Sequence, residues 1–313
     1  MSDEPAAKRA RTASGAGAGA GADLAPAEGT MLFAVPKKGR LYERILKILD
    51  GCGLSYHRKN RLDVALCTNM PIKLVFLPAK DIAQYVGQGN VDMGITGQDI
   101  VAEAGVTVEE VCHLGMGKCK LAVQAPVADH VTDPATLAKP CRVSTSFPNL
   151  TRQYFERLVG KDKCPTISYV SGSVEAACAL GLADAVVDLV ETGTTMRAAG
   201  LEIVGEVMKT ATVLIVNPKT QHRALVKQMV ARLTGYLTAQ RYSLLTYNVE
   251  RAKQKEAARI TPGKKAPTVM PLDDDKWCAI SVLVLKKEVA GIMDRLATLG
   301  ATDMLNFNLS NYR

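Results

Sequence analysis

The 313-residue sequence predicts an α/β protein in which two open-sheet lobes precede a smaller β-α-β-β-α-β domain. Short apolar runs of strand length alternate with segments whose apolar residues recur at helical spacing, as in parallel-sheet proteins. Polar turns rich in Gly, Ser and Thr repeatedly follow these strands. From Arg241 onward the predicted order changes to two successive strand-helix-strand units. These three observations set the division into domains.

Composition limits the partners that the protein can bind. Hydrophobic residues make up 47% and charged residues 22%, and 39 Lys and Arg against 31 Asp and Glu give a formal net charge of +8. The first 30 residues hold three basic and four acidic side chains, so the excess positive charge lies beyond them. Aromatic residues are only 5%, so the stacking side chains that nucleic-acid binding uses are scarce. We expect small polyanionic substrates and no nucleic acid.

No apolar stretch approaches the length of a membrane span, and no signal-peptide pattern is present. The eight cysteines include no C-x-x-C pair. We therefore expect a cytoplasmic protein with reduced thiols and no membrane partner. A zinc site formed by Cys112, His113 and Cys119 is the alternative, and ordinary packing of these side chains is the favoured interpretation.

Residues 1–30 form an Ala/Gly-rich tail with an alternating tract from Ser14 to Ala22. Such a segment buries too little apolar surface to offset its chain entropy, so we expect disorder. The basic run Lys8–Arg11 is either a nuclear address or part of a solvated tail, and the second interpretation is favoured.

The first lobe of the predicted core (31–219) covers about 31–117 and 202–219. Its first strand, Met31–Val35, is followed by a basic turn and by a helix with apolar residues at helical spacing from Leu41. Open α/β sheets bind ligands beyond the carboxyl ends of their strands, so this turn is a candidate site for phosphates. A solvated basic loop is the alternative. The next predicted elements are strands Leu62–Cys67 and Ile72–Leu77, helix Asp81–Gly87, and strand Val91–Asp99 with a polar glycine turn at its end.

The second lobe is predicted over about 118–201, and three of its strands lead through hydroxyl-bearing turns into helices. The carboxyl ends of parallel strands would bring these turns to one rim. Asn149 is the expected N-cap of the first of these helices. The predicted elements are strands Leu121–Gln124, Arg142–Ser144, Thr166–Val170 and Ala185–Val187, and helices Leu150–Val159 and Val174–Leu180. Two strands over Glu202–Val216 are expected to return to the first lobe.

Two carboxylates and a hydroxyl-rich turn follow the strand Ala185–Val187. Asp188 and Glu191 stand three residues apart, and the turn consists of Thr192, Gly193, Thr194 and Thr195. Turn N–H groups and hydroxyls can surround an anion, and a following helix would add partial positive charge worth about 0.3–1 kcal/mol. Carboxylates suit a ligand that also carries hydroxyls or Mg²⁺. The pattern fits a ribose 5-phosphate, and a capped strand-to-helix turn is the alternative.

The third domain, 220–313, starts with the predicted helix Gln221–Leu237 and contains no visible catalytic constellation. Its strand-helix-strand order is that of a ferredoxin-like domain. The remaining predicted elements are strand Arg241–Val249, helix Glu250–Arg259, strands Ala266–Leu272 and Trp277–Leu285, a helix through Val289 to Leu299, and strand Thr302–Leu309.

The string from Gly181 to Thr195, Gly-Leu-Ala-Asp-Ala-Val-Val-Asp-Leu-Val-Glu-Thr-Gly-Thr-Thr, closely resembles that of the ATP phosphoribosyltransferases in their long, regulated form. The resemblance extends over about 31–309. It implies a two-lobed core like type II periplasmic binding proteins and a C-terminal regulatory domain. It further implies transfer of phosphoribosyl from phosphoribosyl diphosphate (PRPP) to N1 of ATP with Mg²⁺, the first step of histidine biosynthesis, with histidine as inhibitor.

The same resemblance implies roles for individual residues. Asp188 and Glu191 would be catalytic and hold the ribose hydroxyls, and Thr268 would lie at the histidine site. The implied PRPP-binding residues are Thr192, Gly193, Thr194, Thr195, Ser173 and Glu175. The implied ATP-binding residues are Lys38, Gly39, Arg40, Thr96 and Gly97. Family members often carry Arg where this chain has Pro78, so that charge is either absent or supplied by Lys80. The resemblance also implies a homo-oligomer, a hexamer with a dimer as the alternative.

Two other function classes stay open on sequence alone. A ligand-binding transport protein would share the two-lobed fold, but we expect such a protein to carry a secretion signal. A catalytically silent regulatory relative is the other class, and the intact carboxylates and Thr turn favour an enzyme. Diphosphate release from ATP and PRPP distinguishes all three.

Overall fold

The computed structural model describes residues 29–39, 41–58 and 62–313, which form three β-sheets with helices on their faces. Most of the predicted tail, with the run Lys8–Arg11, and the candidate Arg40 lie outside the described residues.

The first lobe is a six-stranded sheet with three helices. Its strands are β1 (Met31–Pro36), β2 (Val64–Leu66), β3 (Ile72–Leu77), β4 (Met93–Gly97), β5 (Glu109–His113) and β11 (Thr212–Val216), and its helices are α1 (Tyr42–Gly51), α2 (Ala79–Gly87) and α3 (Gln98–Ala104). The strand order is β2-β3-β1-β4-β11-β5; β1 pairs in parallel with β3 and β4, whereas β11 runs antiparallel between β4 and β5. The expected strand Val91–Asp99 is thus shorter, and a helix that the sequence did not predict begins at Gln98.

The second lobe is a five-stranded sheet with three helices. Its strands are β6 (Cys119–Pro126), β7 (Arg142–Thr145), β8 (Thr166–Tyr169), β9 (Ala185–Val190) and β10 (Leu201–Thr210), and its helices are α4 (Pro148–Val159), α5 (Ala176–Ala179) and α6 (Thr194–Ala198). The strand order is β10-β6-β9-β7-β8. β10 pairs with β6 from Leu201 to Thr210. The predicted return to the first lobe at 202 is therefore wrong, because β10 completes the second sheet and the chain crosses back after Thr210.

The two crossings between the lobes are hydrogen-bonded neighbours. The N–H of Leu114 donates to the carbonyl of Thr212 at 3.0 Å, and the N–H of Thr212 donates to the carbonyl of Met116 at 3.1 Å. Two open sheets joined by paired crossings form the periplasmic-binding-protein-like core that the resemblance implied.

Helix α7 (Arg223–Arg241) belongs with the first lobe rather than the third domain. Val226, Met229 and Leu233 are buried in the same core cluster as residues of β1 and α1. The predicted domain boundary at 220 is therefore wrong, and the third domain begins at about Tyr242.

The third domain has the predicted β-α-β-β-α-β order. Its elements are β12 (Tyr242–Glu250), α8 (Gln254–Ile260), β13 (Thr268–Pro271), β14 (Trp277–Leu285), α9 (Val289–Leu299) and β15 (Thr302–Asn308). Buried and half-buried residues alternate along β12 and β14, because one face of the sheet packs on the helices. β13 and β15 are the two edges, and most of their residues are exposed.

No helix among the described residues is long and apolar enough to span a membrane. The eight cysteines all lie within the described residues, and none of them forms a disulfide.

Candidate functional site

Three polar turns of the second lobe share one rim. β7 runs parallel to β8 and β9, and Thr145 lies opposite both Tyr169 and Val187. The turns that follow these strands therefore leave the sheet at the same edge, as the sequence predicted. The rim brings together the turns at 146–149, 171–175 and 188–195.

Asp188 lies within β9, opposite Ala122, because the strand continues three residues beyond the predicted end. The Asp188 side chain is half-buried. Loss of solvation raises the pKa of its carboxyl, a hydrogen bond from the backbone N–H of Leu189 lowers that pKa, and the negative charge of Glu175 raises it. The net direction is upward. A buried carboxyl with a raised pKa beside a second acid is a common feature of functional sites.

The acid that acts on Asp188 comes from a neighbouring turn. Glu175 immediately precedes α5 and is half-buried, whereas Glu191 follows the end of β9 and is exposed. Glu175 is thus near enough for its negative charge to raise the pKa of Asp188, whereas Glu191 stands at the start of the Thr turn. Asp188 and Glu191, which the sequence spacing paired, therefore differ in burial: Asp188 is half-buried and Glu191 is exposed.

The Thr turn presents its side chains outward. Thr192, Thr194 and Thr195 are exposed, and the hydroxyls of Thr192 and Thr194 lie 3.0 Å apart. Gly193 has φ 74°, a left-handed conformation that favours glycine. Because α6 has only five residues, the expected helix-dipole contribution is small, and hydroxyls and turn N–H groups are the main donors.

Arg197 is a further candidate site residue, which the sequence did not single out. Its Nη2 donates to the carbonyl of Thr192 at 3.0 Å, and a Cβ on Gly193 would lie 2.7 Å from its Nη1. The guanidinium therefore folds back over the turn and adds a positive charge beside the exposed hydroxyls. The signal was the four-residue spacing between Gly193 and Arg197, which places a helical side chain over the preceding turn.

The turn before α5 contains an uncommon backbone conformation. Ser173 has φ 47°, and Gly172 before it has φ 82°. A non-glycine residue in the left-handed region costs on the order of 1–3 kcal/mol, and such residues cluster at ligand sites. Ser173 is exposed on the rim next to Val174, which is buried.

The first-lobe candidates separate into exposed and buried groups. Lys38 and Gly39 are exposed in the turn after β1, and Gly39 has φ 106°. Thr96 is only 3% exposed, and its hydroxyl donates to the carbonyl of Ala79 at 3.2 Å. Gly97 leaves room for Asp99, since a Cβ there would lie 2.1 Å from the carboxylate.

A groove of about 820 Å³ separates the lobes, and both contribute to its walls. Lys80 and Tyr85 line it from α2, and Phe147 and Tyr169 line it from the second lobe. Lys80 is exposed there, whereas Pro78 precedes α2 as its cap. Asp188 and the Thr turn are not among the residues that line this groove.

Comparison with known proteins decides the family. A family model described as ATP phosphoribosyltransferase (HisG) matches residues 78–235, and one described as HisG, C-terminal domain, matches residues 239–311. The chain belongs to the ATP phosphoribosyltransferase family. It is a phosphoribosyltransferase of histidine biosynthesis in the long form, because the second match covers the third domain.

Curated relatives agree over nearly their whole length. The ATP phosphoribosyltransferase of Yarrowia lipolytica is 50% identical over 286 residues, covering 90% of this chain and 96% of that relative. The enzyme of Eremothecium gossypii is 48% identical over 287 residues, with the same coverage. A solved structure, the ATP phosphoribosyl transferase (HisG:HisZ) complex from Thermotoga maritima, aligns with a TM-score of 0.58 and 27% identity. It covers 66% of this chain and 97% of that chain.

The remaining candidate, Thr268, is exposed at the start of the edge strand β13, opposite Ser281 of β14. In the part of the chain that the structure describes, no group of three or more His, Cys, Asp or Glu side chains is placed to hold a metal ion.

Proposed function

We propose that the enzyme transfers the phosphoribosyl group of PRPP to N1 of the ATP adenine and releases diphosphate. One observation carries the proposal: the half-buried Asp188, under the charge of Glu175, shares its rim with the exposed hydroxyl turn Thr192–Thr195. Carboxylates suit sugar hydroxyls, and the turn with Arg197 suits a phosphate.

The chemistry needs electrostatics and positioning rather than a general base. N1 of adenine is unprotonated at neutral pH, so it can attack directly. Positive charge develops on the ribose as diphosphate leaves, and Asp188 and Glu191 stabilise it while they hold the ribose hydroxyls. Ser173 and Glu175 contact the sugar and phosphate from the adjacent turn. The Thr turn anchors the 5-phosphate, a remote group whose binding energy fixes orientation.

The nucleotide occupies the first-lobe side of the cleft in this proposal. Lys38 and Arg40, on either side of Gly39, neutralise its phosphates, and Lys80 supplies a cation in the interlobe groove where Pro78 carries none. Thr96 and Gly97 shape the same edge at the end of β4, where α3 begins directly.

Mg²⁺ fits this reaction as a companion of the substrate phosphates. The described residues form no three-ligand cluster, and Mg²⁺ usually binds through one or two carboxylates together with phosphates. Asp188 and Glu175 are the carboxylates on the rim that could complete such a shell. When bound, the ion would neutralise charge on the departing diphosphate.

The double variant Asp188→Asn with Glu191→Gln tests the proposal by its release of diphosphate from ATP and PRPP. We expect kcat to fall on the order of 10²–10⁴-fold, from a loss of about 3–5 kcal/mol in the transition state. Binding of ATP alone should change little. A near-normal kcat would contradict the carboxylate assignment, and an inactive wild-type protein would contradict the reaction itself.

We further propose that histidine inhibits the enzyme through the third domain, with Thr268 in its site. Support comes from a complete two-lobed core followed by a separate domain with no catalytic constellation among its described residues. Glu250 and Asp273–Asp275 are the acids available for the histidine amine, although Glu250 already pairs with Lys253 at 3.7 Å. A typical coupling of about 1–3 kcal/mol would change affinity 5- to 150-fold.

Trp277, the single tryptophan of the chain, lies in this domain and is a local reporter. We expect millimolar histidine to change its emission and to reduce diphosphate release together. If neither changes, the domain has no histidine-dependent regulatory role.

The third domain also offers surfaces for assembly, and we propose a cytoplasmic homo-oligomer, a hexamer with a dimer as the alternative. Leu305 and Phe307 on the edge strand β15 are 55% and 49% exposed. Exposed edges and apolar strand faces are often covered by a second copy. Light scattering on the purified chain gives the number of subunits.

A further inference from the structure

One carboxylate of the first lobe binds directly to a helix of the second. Glu103, half-buried near the end of α3, accepts hydrogen bonds from two backbone N–H groups at the start of α4. Its Oε1 accepts from Asn149 and its Oε2 from Leu150, each at 2.9 Å. The Asn149 side chain donates to the Glu103 carbonyl at 3.1 Å. Three hydrogen bonds therefore join the lobes at one residue.

This carboxylate replaces the cap that the sequence predicted within the second lobe. The residue in the N-cap position of α4 is Phe147, which has no side-chain hydrogen bond to offer. Asn149 lies inside the first turn and points its amide at Glu103, so its prediction as the N-cap is wrong. Charged acceptors at a helix N-terminus bind the unpaired N–H groups strongly. Helix α4 is capped from the opposite lobe.

The start of α4 is in turn bonded to the strand that carries Asp188. The N–H of Phe147 donates to the Thr145 hydroxyl at 2.9 Å. That hydroxyl donates to the carbonyl of Val187 at 2.7 Å, one residue before Asp188. Thr145 is fully buried and Phe147 is 5% exposed, so this connection is shielded from water. A shift of α4 would therefore also move the part of β9 that carries Asp188.

The other end of α3 is fixed to the crossing between the lobes. The backbone N–H of Asp99 donates to the Thr210 hydroxyl at 3.0 Å, and that hydroxyl donates to the Asp99 carboxylate at 2.7 Å. The N–H of Gln98 donates to the carbonyl of Ala211 at 3.1 Å. Asp99 and Thr210 are both buried. Helix α3 is thus held at its start by the crossing and at its end by the second lobe.

We infer that Glu103 is a positioning residue for the transferase reaction. By capping α4 across the cleft, it sets the distance between the nucleotide residues of the first lobe and the carboxylates Asp188 and Glu191 of the second lobe. The inference rests on the proposed two-substrate site. A displacement of about 1 Å between reacting groups can reduce a rate by as much as 10²-fold. The residues proposed for the nucleotide belong to the first lobe and those proposed for PRPP to the second, so loss of the bridge affects the alignment of the two substrates more than their separate affinities.

Glu103→Gln, studied in the full-length enzyme, keeps the shape of the side chain but presents an NH₂ group to one of the two N–H donors. We expect kcat to fall about 10–100-fold, while each KM stays within about threefold. Glu103→Asp keeps both acceptor oxygens and should recover part of the lost kcat. The predicted order of kcat is wild type, Glu103→Asp, Glu103→Gln.

Glu109→Gln is the matched control. Glu109 belongs to the same lobe and makes a two-point pair with Arg223 at 2.7 and 2.8 Å, but it bridges no lobes. We expect it to lower Tm and leave kcat unchanged. Hydrogen exchange over 146–150 should accelerate in Glu103→Gln and not in Glu109→Gln.

The inference is overturned if Glu103→Gln accelerates exchange at 146–150 yet keeps kcat within twofold of wild type, because the contact is then only structural. It is also overturned if Glu109→Gln lowers kcat equally. If Glu103→Gln does not fold, the same criteria apply to Glu103→Asp. A wild-type enzyme that fails to release diphosphate from ATP and PRPP would contradict the proposed function instead, so the two failures are distinct.

Discussion

The two lobes use the polar residues after their strands differently. In the second lobe, Thr192, Thr194 and Thr195 are exposed after β9 and face solvent at the rim. In the first lobe, Thr96 near the end of β4 and Asp99 just after that strand are buried, with 3% and 5% exposure. Their side chains bond to Ala79 and Thr210 instead.

The difference shows that a polar turn after a buried strand has two uses. It can present donors to a ligand, or it can join structural elements near the cleft. Spacing in the sequence is similar in both cases, and burial with the identity of the partner separates them. The second lobe holds the exposed hydroxyl cluster, and the first lobe holds buried polar side chains that join β4 and α3 to neighbouring elements.

The largest effect is expected at Asp188, which the proposed function places against the ribose. Asp188→Asn should reduce kcat on the order of 10²–10³-fold and yet raise Tm at neutral pH. Burial raises the pKa of this carboxyl above its unfolded value, so its contribution to stability is present below the unfolded pKa and lost as pH rises through the folded pKa. The ionised group therefore destabilises the fold at neutral pH, and Asn removes that cost. Thermal unfolding between pH 4 and 8 measures the difference in Tm between Asp188→Asn and the wild type, and this difference should become smaller as the pH falls.

Asp184→Asn is the control with the opposite sign. The pKa of Asp184 is lowered by its hydrogen bonds from Arg142, so its stabilisation is present above the unfolded pKa and lost as pH falls through the folded pKa. This variant should lower Tm at neutral pH and preserve kcat. If both variants shift Tm in the same direction, the electrostatic account of Asp188 is wrong.

An intermediate effect is expected at the Thr turn. Thr194→Val with Thr195→Val should raise the KM for PRPP about 10–100-fold and leave the KM for ATP largely unchanged. Hydroxyl donors to a charged acceptor are worth roughly 1.5–3 kcal/mol each, and the exposed position reduces that figure. Steady-state kinetics with each substrate varied in turn gives the answer. Equal losses for ATP would mean that this turn serves the nucleotide and that the two sites are exchanged.

The smallest effect separates two residues of the first lobe. Lys38→Gln should raise the KM for ATP a few-fold, because an exposed charge contributes up to about 1 kcal/mol. Thr96→Val should leave both KM values unchanged and cost about 0.5–1.5 kcal/mol of stability through the lost bond to Ala79. Lys37→Gln is the control, since Lys37 pairs with Asp63 at 3.3 Å. A higher KM for ATP in Thr96→Val would show that the Thr96 hydroxyl contacts the nucleotide.

Local patterns predicted most of the fold. The alternation of apolar residues gave Trp277–Leu285 with its exact bounds, and the turns after parallel strands gave the common rim. The errors arose where distant contacts decide. Helix α3 has only seven residues, too few for helical periodicity to separate it from the strand before it.

Long-range contacts also decided the misassigned roles. Glu103 caps a helix 46 residues away, and Asp99 meets Thr210 at a separation of 111 residues. No local spacing in the sequence encodes either pair. The placement of α7 in the first lobe likewise depends on its packing against β1 and α1, which its own apolar pattern does not reveal.

The position of β11 has a consequence for synthesis on the ribosome. This strand occupies an interior place between β4 and β5, but it is translated only after the whole second lobe. The second lobe is continuous in sequence and can assemble while the chain is still growing, since domains generally fold as units from the N-terminal side. The sheet of the first lobe stays incomplete between β4 and β5 until β11 has been translated. The part of the enzyme that is made first is therefore among the last to be completed.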